Sequence, residues 1–163
     1  MARDMVDELL RQWTDEHPGM DVSALGIVVR IQLLGKLFGS RANLALKQHG
    51  LKHWEYDVLS VLRRQGAPFE MPASDIARAV HLTSGAMTAR IDGLEQRKLV
   101  LRRQSKIDGR SVLVKLSAKG LRLIDLALHT RLDEAISATS HIAPHDRHRL
   151  AEQLRCLLLY LER

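Results

Sequence analysis

The chain has 163 residues, 45% of them hydrophobic, a formal net charge of +6 and one cysteine. That length and apolar content suit one domain with a real core, and a single cysteine rules out an internal disulfide and fits a reducing cytoplasm. The acidic start (Asp4, Asp7, Glu8) is wrong for a signal peptide, and apolar runs such as Gly26-Ile27-Val28-Val29 are too short to span a bilayer.

Taken in order, residues 1–15 read as a first helix, with Met5, Leu9 and Trp13 at i, i+4, i+8 and Pro18-Gly19 ending it. Residues 23–48 read as a longer helix with Ile27, Ile31, Leu34, Leu37 and Phe38 inward, closed by Gly50. Residues 54–65 form a third, bearing Val58, Leu59 and Leu62 and stopped by Gly66 and Pro68. Ser74 can cap a short fourth helix with Ile76, Ala77 and Val80 inward. His81 and Leu82 make a tight turn, and the Thr83 hydroxyl can cap a fifth helix. On that helix Met87, Ile91 and Leu94 form one buried stripe, and Gly85, Thr88, Ala89 and Asp92 turn away from it. Two strand-like runs follow, 99–104 and 111–116, with Asp108-Gly109 as the turn between them. Ser117 then caps a long helix through Leu121, Ile124, Leu128, Leu132 and Ile136. Pro144 opens a last one, in which Leu150, Leu154, Leu157, Leu158 and Leu161 recur at helical spacing.

Two short helices, a tight turn and a second helix with a small, polar outer face make a helix-turn-helix, and a basic hairpin after it is a wing. The expected fold is mainly α with a small β-hairpin: a winged helix-turn-helix with long N- and C-terminal dimerisation helices. Residues 1–50 would supply N-terminal helices, a ligand lid and dimer contacts; 51–116 the DNA-binding lobe; and 117–163 the C-terminal dimerisation helices of one intertwined domain.

Charge points to the partner. From Arg97 to Arg122, nine basic residues less one acidic give +8, so the rest of the chain sums to −2. Such a footprint suits phosphate neutralisation, against the plainer reading of a solvated charged hairpin. The terminal helices carry more apolar residues than a small wing lobe needs, which argues for a homodimer able to set two such helices in successive major grooves.

Other constellations carry less. His141, His145 and His148 lack partners at ligand spacing apart from Asp146, and Pro144 breaks the helix between them, so no metal is expected there or at His49 and His53. Cys156 falls beside Leu154 and Leu157 and is expected to be buried and inert. No nucleophile elbow, P-loop or dinucleotide fingerprint appears, so neither catalysis nor a cofactor is expected.

The order of helix, helix-turn-helix, wing with Asp108-Gly109-Arg110, and Leu116-Ser117-Ala118-Lys119-Gly120 opening a long helix resembles the MarR family of bacterial regulators. That family's wing usually carries Asp-Arg-Arg and then Leu-Thr; Gly109 and Ser117 depart from it. The resemblance implies that Arg110 reaches the minor groove and Asp108 braces it. With Ser84, Gly85, Thr88, Ala89, Arg103 and Lys106, these are the expected DNA contacts.

A narrower resemblance is to the urate-responsive, PecS-like branch. It rests on Trp13 in an added N-terminal helix, Asp57 within Trp54-Glu55-Tyr56-Asp57-Val58-Leu59, Arg90 within Gly85-Ala86-Met87-Thr88-Ala89-Arg90, and Arg102 at the wing's base. It implies a purine-like anion stacked near Trp13 and held by Arg90 and Arg102, with Asp57 holding one arginine while the site is empty. The plainer account packs Trp13 in the core and gives Asp57 an arginine partner. The expected function is a cytoplasmic, homodimeric repressor that binds a palindromic double-stranded DNA operator and is released by a small anion, urate or a related purine. The alternatives are a response to another aromatic acid, or an activator; a nonspecific architectural binder and a protein-docking winged helix stand further off.

Overall fold

The computed structural model describes residues 2–104 and 112–163. In chain order these form α1 (Met5–Glu16), α2 (Ser23–Leu46), a 3-10 turn (Lys47–His49), α3 (His53–Arg64), β1 (Glu70–Pro72), α4 (Ala73–Ala79), α5 (Ser84–Gln96), β2 (Val100–Gln104), β3 (Val112–Leu116), α6 (Ala118–Thr139) and α7 (Pro144–Leu161). By packing the chain divides into two compact units, Met1–Leu44 and Ala45–Arg163. Residues 45–50 therefore fall in the unit of the lobe, where α6 packs on α3, β3 and the 3-10 turn.

In the first unit Asp4 caps α1: its side chain accepts from the amides of Val6 and Asp7, and Asp7 answers to the Asp4 amide. Arg30 of α2 reaches back to both carboxylates, with Nε 2.8 Å from Asp4 and Nη2 2.6 Å from Asp7. The Arg30 hydrogen bond, helped by the Asp7 and Val6 amides, lowers the Asp4 carboxyl to about 2. The expected inward residues of α2 are not covered: Ile27, Leu34, Leu37 and Phe38 are all exposed. The stretch Ser23–His49 is, by length and composition, apolar enough to cross a membrane. Reading unbroken apolar runs missed this, because glycines and isolated cations such as Arg30 and Lys36 cut the stretch into short pieces.

The second unit has a dense core. Leu59 and Leu62 of α3, Ile76 of α4, Met87, Ile91 and Leu94 of α5, Leu99, Val114 of β3 and Ile124 of α6 are each 2% exposed or less. Thr83 caps α5, its hydroxyl accepting from the Ala86 amide, and Ser117 caps α6 through the Gly120 amide. Ser74 does not cap α4. The chain enters from Pro72 in an extended conformation, which places Ser74 inside the first turn. That entry is β1, a strand absent from the sequence reading. It runs antiparallel to β3 (Glu70 opposite Lys115, Met71 opposite Val114), giving the sheet order β1-β3-β2. Pro72 is tolerated because β1 is an edge strand. The base of the wing pairs Val100 with Leu116 and Gln104 with Val112.

Gly120 marks the closest approach in this unit: a Cβ there would lie 2.0 Å from the Leu99 carbonyl oxygen. Beside it the Ser117 amide donates to the Leu99 carbonyl (3.0 Å), and the Ser117 hydroxyl to that of Lys98 (2.7 Å). Beyond Ile124 and Ala127, the outer stripe of α6 opens to the surface, with Leu132 and Ile136 exposed. On α7 no residue is buried. Cys156 is exposed, which corrects the expectation of a buried thiol: the stripe it joins is itself uncovered.

Candidate nucleic-acid interface

Helix α5 presents Ser84, Gly85, Thr88 and Ala89 outward, all exposed, with the Met87-Ile91-Leu94 stripe sealed behind them. A Cβ on Gly85 would meet nothing within 4 Å, so this face is open. The Thr88 hydroxyl donates to the Ser84 carbonyl at 3.1 Å. Such a face, small and rimmed by hydroxyls, can approach base edges closely. Lys106, Asp108 and Arg110, the expected wing-tip contacts, lie outside the described residues.

The basic element is less free than its charge count suggests. Arg97 gives Nη1 to buried Glu55 at 2.5 Å and Nη2 to the Gly50 carbonyl at 2.9 Å. Arg103, an expected DNA contact, grips Glu70 of β1 with Nε at 3.0 Å and Nη2 at 2.5 Å. Arg102 pairs with Asp92 through Nη2, lies 3.5 Å from Glu95, and donates to the Thr88 carbonyl at 3.2 Å. Among the described residues, three of the element's seven cations are thus engaged with carboxylates of the same chain. Sequence reasoning missed these pairs.

The expected ligand residues are only partly brought together. Arg90 lies over the Trp54 ring, 5.0 Å from its centre. At 100° per residue, position 90 stands about 140–160° around α5 from positions 88, 92 and 95, so Arg90 and Arg102 occupy opposite flanks. Asp57 takes neither as its ion-pair partner. His53 stands 3.5 Å from its carboxylate, a correction to the expectation that Asp57 holds an arginine. Burial pushes the Asp57 carboxyl up, while His53, Arg131, Arg90 and Arg64 pull it down. Burial likewise raises the neighbouring Tyr56 hydroxyl, and the Arg131 guanidinium sits 6.0 Å from that ring. In the other unit Trp13 is not a core residue: it is 46% exposed and stacks on His17, with ring centres 5.6 Å apart. Among the described residues no group of three or more His, Cys, Asp or Glu side chains is placed to hold a metal.

The MarR family model matches residues 51–112, which run from the start of the lobe into β3. The chain carries a MarR family domain. Over 164 aligned residues it is 27% identical to the HTH-type transcriptional regulator PecS of Dickeya dadantii (strain 3937), covering all of this chain and 96% of that protein. Among solved structures, AbsC, a MarR family transcriptional regulator from Streptomyces coelicolor, matches with a TM-score of 0.78 at 20% identity, covering 88% of this chain and 96% of that one. A mutant MarR from E. coli complexed with operator DNA matches with a TM-score of 0.74 at 20% identity, covering 90% and 97%. The α5 face described above lies within the matched residues, and the likeness to the solved structures is one of fold.

Proposed function

We propose that this protein is a DNA-binding transcriptional regulator of the MarR family, a cytoplasmic homodimer that represses from a roughly palindromic operator and is released by a small anion of the purine class. Ser84, Gly85, Thr88 and Ala89 meet the major groove, and Arg110, braced by Asp108, reaches the minor groove. Lys106 and Arg103 serve the phosphates, Arg103 on leaving Glu70.

The observation that carries the ligand reading is the setting of Asp57. One carboxylate faces His53, Arg64, Arg90 and Arg131, and burial still disfavours its charge. A setting with more cations than anions suits a planar anion, which a guanidinium can grip in bidentate fashion. Such an anion would draw Arg90 from its place over Trp54, while Arg102 would respond from the other flank of α5. Trp13 enters by the resemblance to PecS and is tested separately. A ligand shifts DNA binding only by its differential affinity for the two forms.

The test is operator binding titrated with urate, xanthine and salicylate. The purines should weaken the complex, and Trp13→Phe should bind DNA as the wild type does but respond less to urate. If no purine acts at millimolar concentration, the purine reading fails. Release by salicylate alone would favour the aromatic-acid alternative, and stimulation of transcription from the operator would favour an activator.

A further inference from the structure

Helix α5 has a charge problem for an element that meets DNA. Between Ser84 and Gln96 it carries two carboxylates, Asp92 and Glu95, and one cation, Arg90. That cation is turned to the opposite flank, over Trp54. Asp92 stands four residues from Thr88 and seven from Gly85, on the outward face, and about half of its side chain is exposed. Glu95 follows one turn later and is similarly exposed. Left to themselves, two carboxylates on this face would be pressed against phosphates, where each lowers affinity.

Arg102 sits on both. Its side chain is the most covered of the three, 27% exposed; its Nη2 bonds Asp92, its Nε stands 3.5 Å from Glu95, and its own amide donates to Glu95 at 3.3 Å. We propose that Asp92 and Glu95 form a DNA-repelling pair built into the recognition helix, and that Arg102 serves the protein mainly by masking it rather than by touching DNA. Arg102 is thus a positioning residue whose contribution to affinity runs through the two carboxylates. The inference rests on α5 being the helix that meets the operator.

It makes three variants move in directions that a direct phosphate contact or a purely structural clip would not share. Arg102→Ala should lose operator affinity on the order of tenfold, since an unscreened charge near phosphate is worth about 1 kcal/mol or more. The double variant Asp92→Asn, Glu95→Gln should bind more tightly than wild type, with a steeper salt dependence because a freed cation joins the interface. Adding that pair of changes to Arg102→Ala should restore affinity to the wild-type level or above. The probe is a duplex selected by the wild-type protein from a random library, with salt titrations and thermal melts run on each variant. Arg102→Gln stands in if the alanine variant does not fold.

A triple variant no tighter than Arg102→Ala overturns masking in favour of direct contact. A double variant weaker than wild type overturns it in favour of a clip that aims the wing. No duplex selected by the wild type at any salt overturns both this inference and the DNA-binding reading. Selection without rescue overturns the inference alone.

Discussion

The two kinds of helix in this chain use the same apolar periodicity to opposite ends. In α5 the stripe of Met87, Ile91 and Leu94 is sealed to within 2% of full burial, with α4 and β2 packed against the helix. In α7 Leu150, Leu154, Leu158 and Leu161 recur just as regularly and lie between 42% and 71% exposed. Helix α2 is like α7 rather than α5, with Ile27 and Leu37 about three-fifths exposed. Periodicity states which side of a helix is apolar; only the neighbours state whether that side is covered. The lobe closes on itself, whereas the long helices present surface of the kind a second copy buries.

This contrast can be broken most sharply at Leu158. Leu158→Asp should cost the proposed dimer about 4 kcal/mol by placing an unpaired charge in its interface, while the fold of the lobe persists. Sedimentation should show monomers, and operator binding should be lost. A wild type that is itself a folded monomer would end the argument. Next in size is Leu59→Ala, in the sealed core, which should destabilise the lobe by about 3 kcal/mol. Chemical denaturation should show that loss at every protein concentration, whereas the Leu158 effect should depend on concentration.

The smallest expected effect is at Asp57. Because burial raises its carboxyl in the folded chain, the folded state holds that proton more tightly than the unfolded one. Stability is therefore lost as pH rises through the folded-state value, and the cost is fully present at neutral pH. Asp57→Asn should melt slightly higher than wild type near pH 7, with the difference fading below the ordinary carboxylate range. A difference that does not change with pH would show that burial of the charge is not its cause.

Much of this was legible in the sequence, and the exceptions have physical causes. The helix-turn-helix could be read because Thr83, the α5 stripe and Ser117 are local signals, complete within a few residues. Strand β1 could not. Three residues ending in Pro72 have no alternation, and they become a strand only because β3 arrives to pair with them. The ion pairs were hidden for a related reason: Arg97 finds Glu55 across 42 residues and Arg103 finds Glu70 across 33, distances over which charge counting carries no pairing information. The ligand residues sat on the expected elements, but helical angles place Arg90 and Arg102 on opposite flanks of α5. Recognising that required comparing the two positions with each other as well as with the buried stripe.

The contact at Gly120 has a mechanical consequence. With no side chain to hold it off, the first turn of α6 rests on the Leu99 carbonyl and is tied to the chain entering β2 by the Ser117 hydrogen bonds. Helix α6 has 22 residues, a rod of roughly 33 Å at 1.5 Å per residue. The rod is pinned further along as well, Asp125 by Arg63 at 2.6 Å and Thr130 by His49 at 2.7 Å, which leaves the turns beyond Thr130 to project. A side chain at Gly120 would push the first turn off Leu99, and a rigid helix would pass that displacement on to the ties at Asp125 and Thr130.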